Sequence, residues 1–216
     1  ELSINGHAIE ARLYAEAPAK GFLPSVGRLD HFDLGDQGRI ETGVEEGDSI
    51  SPFYDPMIAK LIDPADTRDE AINALAALLA DAEVWPVRTN AAFLFNALMQ
   101  DDFVNARLDT GFIERHLDQL VPDPAPSQAV RSSAAAIALL GAEEQGVAPA
   151  LSGFRLNAAP RFSVALNGAT VEVGPGDIED VSGFSDEERV VVFRHGQAFE
   201  FALRSRGTAG SLITKH

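Results

Sequence analysis

Arg39 is the residue of this sequence whose type and setting offer the clearest chemistry. It stands in the short strand-like run from 39 to 43, close in sequence to Tyr54 and Asp55. A guanidinium fixed in a cleft can bind bicarbonate, phosphate or an enolate through paired hydrogen bonds. On the residues alone, a surface ion pair with Glu41 is the commoner fate of such a side chain. Glu41, Glu45, Glu46, Asp48 and Asp55 could act as acids or bases, although a run of carboxylates is more often a solvated face.

Other chemistries find less support. His7, His31, His116, His195 and His216 are scattered, and no pair has the spacing of a metal-binding helix, so no metal site is expected from this chain. His7 at a strand start and His195 in a hairpin turn read as structural or solvated. Residues 35 to 43 hold three glycines but lack the lysine and hydroxyl of a phosphate loop. Ser25, Ser49 and Ser51 sit in turns without the glycine-flanked elbow of a serine hydrolase.

The totals narrow the partners. With 33 acidic against 17 basic residues and a formal charge of −16, nucleic acid and anionic membrane surfaces are repelled. There is no cysteine, which excludes a disulfide framework. No apolar run approaches the roughly 20 residues needed to cross a bilayer, and no export signal opens the sequence. At 216 residues, two domains are expected. The start on Glu1, running at once into strand-like sequence, leads us to expect that further residues precede it.

These side chains need elements to hold them. Ile9, Ala11 and Leu13 alternate with Glu10, Arg12 and Tyr14, a strand with one covered face. Residues 17 to 56 read as short strands joined by Gly- and Pro-rich turns. Thr67 and Glu70 form a capping box opening a helix, and Ile72, Leu75, Ala76, Leu79 and Ala82 make its apolar stripe. Pro86 closes that segment. Thr89 is predicted to cap a second helix with Leu94, Ala97 and Leu98 inward, and Asp109 or Thr110 a third containing Phe112, Ile113 and Leu117. Three prolines between 121 and 127 mark a linker. Beyond it an Ala-rich helix spans 132 to 145, and strands follow, with two-residue turns at Asn167–Gly168 and His195–Gly196. The fold class is α+β: residues 1–120 an antiparallel sheet with late helices, 121–127 a linker, 128–216 a small antiparallel β-barrel around a helix.

Six motifs carry a resemblance. Gly-His-Ala-Ile-Glu-Ala-Arg at 6–12, Phe-Leu-Pro-Ser-Val-Gly at 22–27, Gly-Arg-Ile-Glu-Thr-Gly at 38–43, Tyr-Asp-Pro-Met-Ile-Ala-Lys-Leu at 54–61, Thr-Arg-Asp-Glu-Ala-Ile at 67–72 and Val-Arg-Thr-Asn at 87–90 occur in the order and spacing of the biotin carboxylase C-terminal domain. The resemblance covers residues 6 to about 117 and implies an ATP-grasp enzyme that activates bicarbonate with MgATP and carboxylates biotin. It makes Arg39 the arginine beside bicarbonate that stabilises the enolate-like biotin. It puts Arg68 at a carboxylase dimer interface and Thr110 near an adenine pocket.

Residues 128–216 resemble the subunit-docking (BT) module of propionyl- and methylcrotonyl-CoA carboxylase α subunits, a β-barrel around a helix that meets the carboxyltransferase β subunit. Gly-Phe-Arg-Leu-Asn at 153–157 leans toward the methylcrotonyl type. The implied cofactors are biotin, ATP and Mg, none held tightly by this stretch. The implied partners are the β subunit, the biotin carrier domain and a second carboxylase domain, in bacterial cytoplasm or the mitochondrial matrix. ATP-grasp lobes are expected before residue 1 and a biotinyl domain after residue 216, so the chain alone is expected to be inactive. Glu41 where aspartate is expected, Ala17 where an acid precedes Pro18, and Val26 where proline is common are departures. The alternatives are a pyruvate or acetyl-CoA carboxylase, or a non-enzymatic assembly module.

Overall fold

Alternation builds the first sheet. In a computed structural model that describes residues 5–144, 162–173 and 181–203, Ala11 and Leu13 are buried while Glu10 and Arg12 face water, the period-two signature of a strand covered on one side. That strand is β1 (His7–Tyr14), followed by β2 (Glu16–Ala17), a 3-10 turn (Pro18–Lys20), β3 (Leu23–Pro24), β4 (Gly27–Arg28) and β5 (His31–Asp33). Next come β6 (Arg39–Thr42), β7 (Ser49–Ile50), the long β8 (Met57–Ala65), α1 (Arg68–Asp81), β9 (Glu83–Trp85), α2 (Ala91–Leu98), α3 (Asp101–Val104) and α4 (Phe112–Leu120). The main sheet is antiparallel in the order β1-β8-β6, and short ladders pair β2 with β3, β4 with β7 and β5 with β9. Contacts divide the chain between Pro124 and Ala125, the turn His195–Ala198 counting with the first unit.

Helix α1 forms where the capping box predicts. Glu70 N donates to Thr67 Oγ1 at 3.2 Å, and Thr67 N donates to Glu70 Oε2 at 3.0 Å, satisfying two of the donors a helix start leaves open. Ile72, Leu75, Ala76 and Leu79 then bury their stripe with Leu13, Leu61 and Ala11 in one core. One face of β1 and β8 is thus closed by α1, and the other is left to water.

Later helices depart from expectation. Asn90, not Thr89, stands at the start of α2. Its amide is spent on β1: Oδ1 accepts from Tyr14 N at 2.9 Å and Nδ2 donates to Arg12 O at 3.3 Å. Ala91, Ala92, Phe93 and Leu98 form the buried face of α2, with Leu94 and Ala97 half-buried. Gly111 precedes α4 with no side-chain cap, while Asp109 Oδ1 accepts from Gly111 N inside the preceding turn. Phe112 and Leu120 are buried, but Ile113 is 50% and Leu117 39% exposed, so only part of the apolar set of α4 is covered. Strand β9 and helix α3 are too short to show a period in the sequence.

Asp102 of α3 anchors the end of this unit. Its Oδ1 accepts from Arg107 Nε at 2.9 Å, and its Oδ2 lies 3.0 Å from His116 Nε2. The hydrogen bond with His116 first, then that with Arg107, holds the carboxyl below the usual range for aspartate. A folded pKa below the unfolded value stabilises fully above about pH 4 and is lost as pH falls through the folded value. Asp102→Asn is therefore expected to lower the melting temperature near neutrality and to converge with the parent chain at the most acid pH. Melting curves that stay parallel across pH contradict this.

The second unit packs strands on α5 (Gln128–Glu144), which starts four residues earlier than expected because Ser127 Oγ accepts from Val130 N at 3.2 Å. Val130, Ala134, Ala135 and Ala138 are buried on it, against Val164, Val171, Val190 and Val192; alanine's short side chain lets strands come close. Strands β10 (Phe162–Leu166) and β11 (Ala169–Val173) turn at Asn167 and Gly168, with φ of 50° and 79°. A three-stranded ladder, β12 (Ser182–Ser185), β13 (Arg189–Arg194) and β14 (Gln197–Ala202), has its second turn at His195 and Gly196, φ 48° and 69°. Among the described residues the two ladders are joined by a bridge between Leu166 and Leu203. The motif at 153–157 and His216 lie outside the described residues.

Candidate functional site

Position 38 decides where Arg39 stands. Gly38 has φ +65°, and a Cβ there would lie 2.6 Å from Leu78 Cδ1 and 2.8 Å from Asp63 Oδ2. Glycine alone lets β6 start against β8 at this point. From there the register is fixed: Arg39 opposes Ile62 and Glu41 opposes Lys60. On the other edge of β8, Arg12 opposes the same Lys60 and Glu10 the same Ile62. Directly opposed residues share a face, so Arg39, Glu41, Lys60, Arg12 and Glu10 all lie on the face away from α1.

Two ion pairs run along the edge strands on either side of Lys60. Arg39 Nη2 bonds Glu41 Oε1, with side chains 70% and 42% exposed. Arg12 Nε bonds Glu10 Oε1 at 2.9 Å. The Arg12 hydrogen bond, and more weakly the charges of Arg12 and Lys60, hold the Glu10 carboxyl below its ordinary range. Three cations against two carboxylates make a locally positive surface on a strongly acidic chain. An exposed ion pair is worth about 0–1 kcal/mol, so the Arg39–Glu41 pair adds little to the stability of the fold.

The structure corrects the setting expected for Arg39. Tyr54 and Asp55 are not beside it: the chain leaves β6 at Thr42 and returns into β8 at Met57, so antiparallel pairing sets Arg39 opposite Ile62. Residues 57 and 62 are about 16 Å apart along a strand, and Tyr54, 83% exposed, lies before the far end. Arg39 stands on an open sheet face with its Glu41 pair formed, the commoner fate for such an arginine.

The remaining candidates stand in the following surroundings. Asp48 Oδ2 accepts from Glu45 N, Glu46 Oε2 from Phe32 N and Asp55 Oδ1 from Met57 N, so these carboxylates brace turns. Ser25 Oγ accepts from Arg88 N and Ser51 Oγ from Phe53 N. His31 Nε2 lies 2.6 Å from Glu83 Oε2, clamping β5 to β9, a contact that 52 residues of separation hide from the sequence. Arg68 Nη2 donates to Phe103 O at 2.5 Å, and the guanidinium covers the Phe103 ring at 5.1 Å, tying α1 to α3; its Nε is buried without a partner. Thr110 is exposed in the turn before α4. Lys60 and Arg12 were missed as members of the site, although the strand alternation around each already turned them outward.

Among the described residues no group of three or more His, Asp or Glu could hold a metal ion, and no helix is long and apolar enough to cross a membrane. Residues 10–115 match a family model described as biotin carboxylase C-terminal domain. The chain is 36% identical over 179 residues to methylcrotonoyl-CoA carboxylase subunit alpha, mitochondrial, of Dictyostelium discoideum, covering 77% of this chain and 26% of that subunit. Against the subunit of that name from Arabidopsis thaliana the identity is 42% over 148 residues, covering 64% and 20%. The chain thus spans about a quarter or less of the curated relatives it matches. A crystal structure of the biotin carboxylase domain dimer of Hydrogenobacter thermophilus 2-oxoglutarate carboxylase, with MgADP, ADP and bicarbonate, superposes with TM-score 0.54 at 34% identity, covering 58% of this chain and 28% of that one.

Proposed function

Residues 10–115 of this chain are a biotin carboxylase C-terminal domain, and from that premise we propose that the chain supplies one wall of a site where bicarbonate, activated with MgATP, carboxylates biotin. Arg39 is the cation of that wall. Negative charge developing on the bicarbonate-derived carboxyl group and on the enolate-like ureido oxygen of biotin is stabilised by a guanidinium that no proton transfer can discharge. MgATP, when bound, supplies the activation of bicarbonate; the residues of this chain bind and orient the anion. Thr110 faces the adenine side of the site, and Arg68 lies where a second carboxylase domain docks.

The second unit serves assembly. Residues 128–216 act as the docking module that meets a carboxyltransferase β subunit, with a biotin carrier domain delivering biotin between the two. The acyl-CoA is of the methylcrotonyl or propionyl class; the methylcrotonoyl-CoA carboxylase α subunit aligned with 77% of this chain favours the former.

The observation that carries the function is the ordered match over residues 10–115 with Arg39 presented on an open, locally positive sheet face. Assayed alone with MgATP, bicarbonate and free biotin, the 216-residue chain is expected to show no biotin-dependent release of ADP. The complete subunit carrying these residues is expected to turn over. Turnover by the chain alone, or none by the complete subunit, overturns the proposal.

A further inference from the structure

The charges around Arg39 are arranged for an exchange of partners. In the structure Arg39 is engaged by Glu41, and a guanidinium covered by a carboxylate is poorly placed to receive a second anion. Removing Glu41 to water leaves its negative charge beside the incoming ligand. Lys60 offers another destination. It is the cross-strand partner of Glu41 on β8, and directly opposed residues have Cβ atoms about 4.5–5.5 Å apart, within reach of a four-carbon stem ending in a rotatable ammonium.

Among the described residues Lys60 has no ion-pair partner, its charge acting on Glu10 only at longer range. The carboxylate beyond it, Glu10, is bonded to Arg12. The pairs Arg39–Glu41 and Arg12–Glu10 therefore flank a lysine half-buried between them. Each edge strand keeps its own cation occupied, and the central strand holds the spare one. Rigid strand pairing fixes these distances, so only side-chain rotation is required.

We propose that Glu41 is a positioning residue that holds Arg39 in the empty site and passes to Lys60 when Arg39 takes up its anion, so that Lys60 acts on the reaction through Glu41 rather than by touching the anion. The inference rests on the reading of Arg39 as the anion-binding cation. With Glu41 on Lys60, the guanidinium fork is free and the nearest negative charge is neutralised. Without Lys60, Glu41 competes with the ligand for Arg39.

The test is a double-mutant cycle in the complete carboxylase subunit, reading KM for bicarbonate and kcat separately. Lys60→Gln is expected to raise the bicarbonate KM about tenfold with a smaller change in kcat, a coupling within the usual range for charges in contact. Glu41→Gln leaves that KM unchanged or lower and reduces kcat, because Arg39 is no longer oriented. The decisive variant is Lys60→Gln with Glu41→Gln: once the competing carboxylate is neutral, KM returns to within about twofold of the parent value, a residual no larger than the usual error of additivity. A double variant whose KM stays as high as that of Lys60→Gln overturns the exchange and makes Lys60 a direct ligand or a merely structural residue. If instead Arg39→Ala alone leaves both constants near normal, the reading of Arg39 fails and the exchange with it. The two failures are therefore distinguishable.

Discussion

Replacing Arg39 with alanine in the complete subunit is expected to cut the rate of biotin carboxylation about 100- to 1000-fold, the loss seen when one preorganised donor to a developing anion is removed. ATP affinity is expected to stay close to the parent value. The reason for the split is geometric: Arg39 stands on the outward face of the β1-β8-β6 sheet, whereas Thr110, the residue assigned to the adenine side, lies in the turn before α4. The fold should survive, because the side chain is 70% exposed and its ion pair with Glu41 is a surface one. Arg39→Lys keeps the charge but loses the fork, and should recover only part of the rate. A near-normal rate for Arg39→Ala removes the residue from the chemistry. A rate loss matched by an equal loss of ATP binding would mean that the substitution disturbs the whole site.

Truncating the helix that closes the sheet should have the largest effect on stability. Leu75 is fully buried in the middle of α1, in one core with Leu13, Leu61, Ile72 and Leu79. Leu75→Ala is expected to destabilise the first unit by about 2–5 kcal/mol, the transfer loss plus the cavity that a fixed sheet cannot collapse to fill. Leu117→Ala on α4, where the side chain is 39% exposed, is the control and should cost less than about 1 kcal/mol. Urea denaturation of the 216-residue chain, followed by Trp85 fluorescence, reads both. Trp85 is buried at the end of β9 within the first unit. Equal midpoints for the two variants would show that α1 does not close this sheet.

What the sequence disclosed depended on the range over which each feature is set. The strand alternation from Ile9 to Leu13, the Thr67–Glu70 capping box and the Asn167–Gly168 and His195–Gly196 turns are decided within a few residues, and each is found where local chemistry puts it. Asn90 shows the limit. A Thr-Asn pair before an apolar run signals a helix start, but which residue sits at the cap depends on Tyr14 and Arg12, more than seventy positions away. Likewise Arg39 is near Tyr54 in sequence and far from it along β8, because a strand that leaves and returns antiparallel pairs its distal ends. The same long-range pairing assembles Arg12, Lys60 and Arg39 on one face, which no single stretch of sequence reveals. The six ordered motifs were legible because each is a run of a few consecutive residues, whatever the strand or helix that carries it.

The role of Arg39 is read from the transfer of labelled bicarbonate carbon to free biotin by the complete subunit, with and without its guanidinium. Label in carboxybiotin is expected to require MgATP and to fall at least about 100-fold in Arg39→Ala. Label accumulating in the variant at the parent rate, or none accumulating in the parent subunit, would contradict that role.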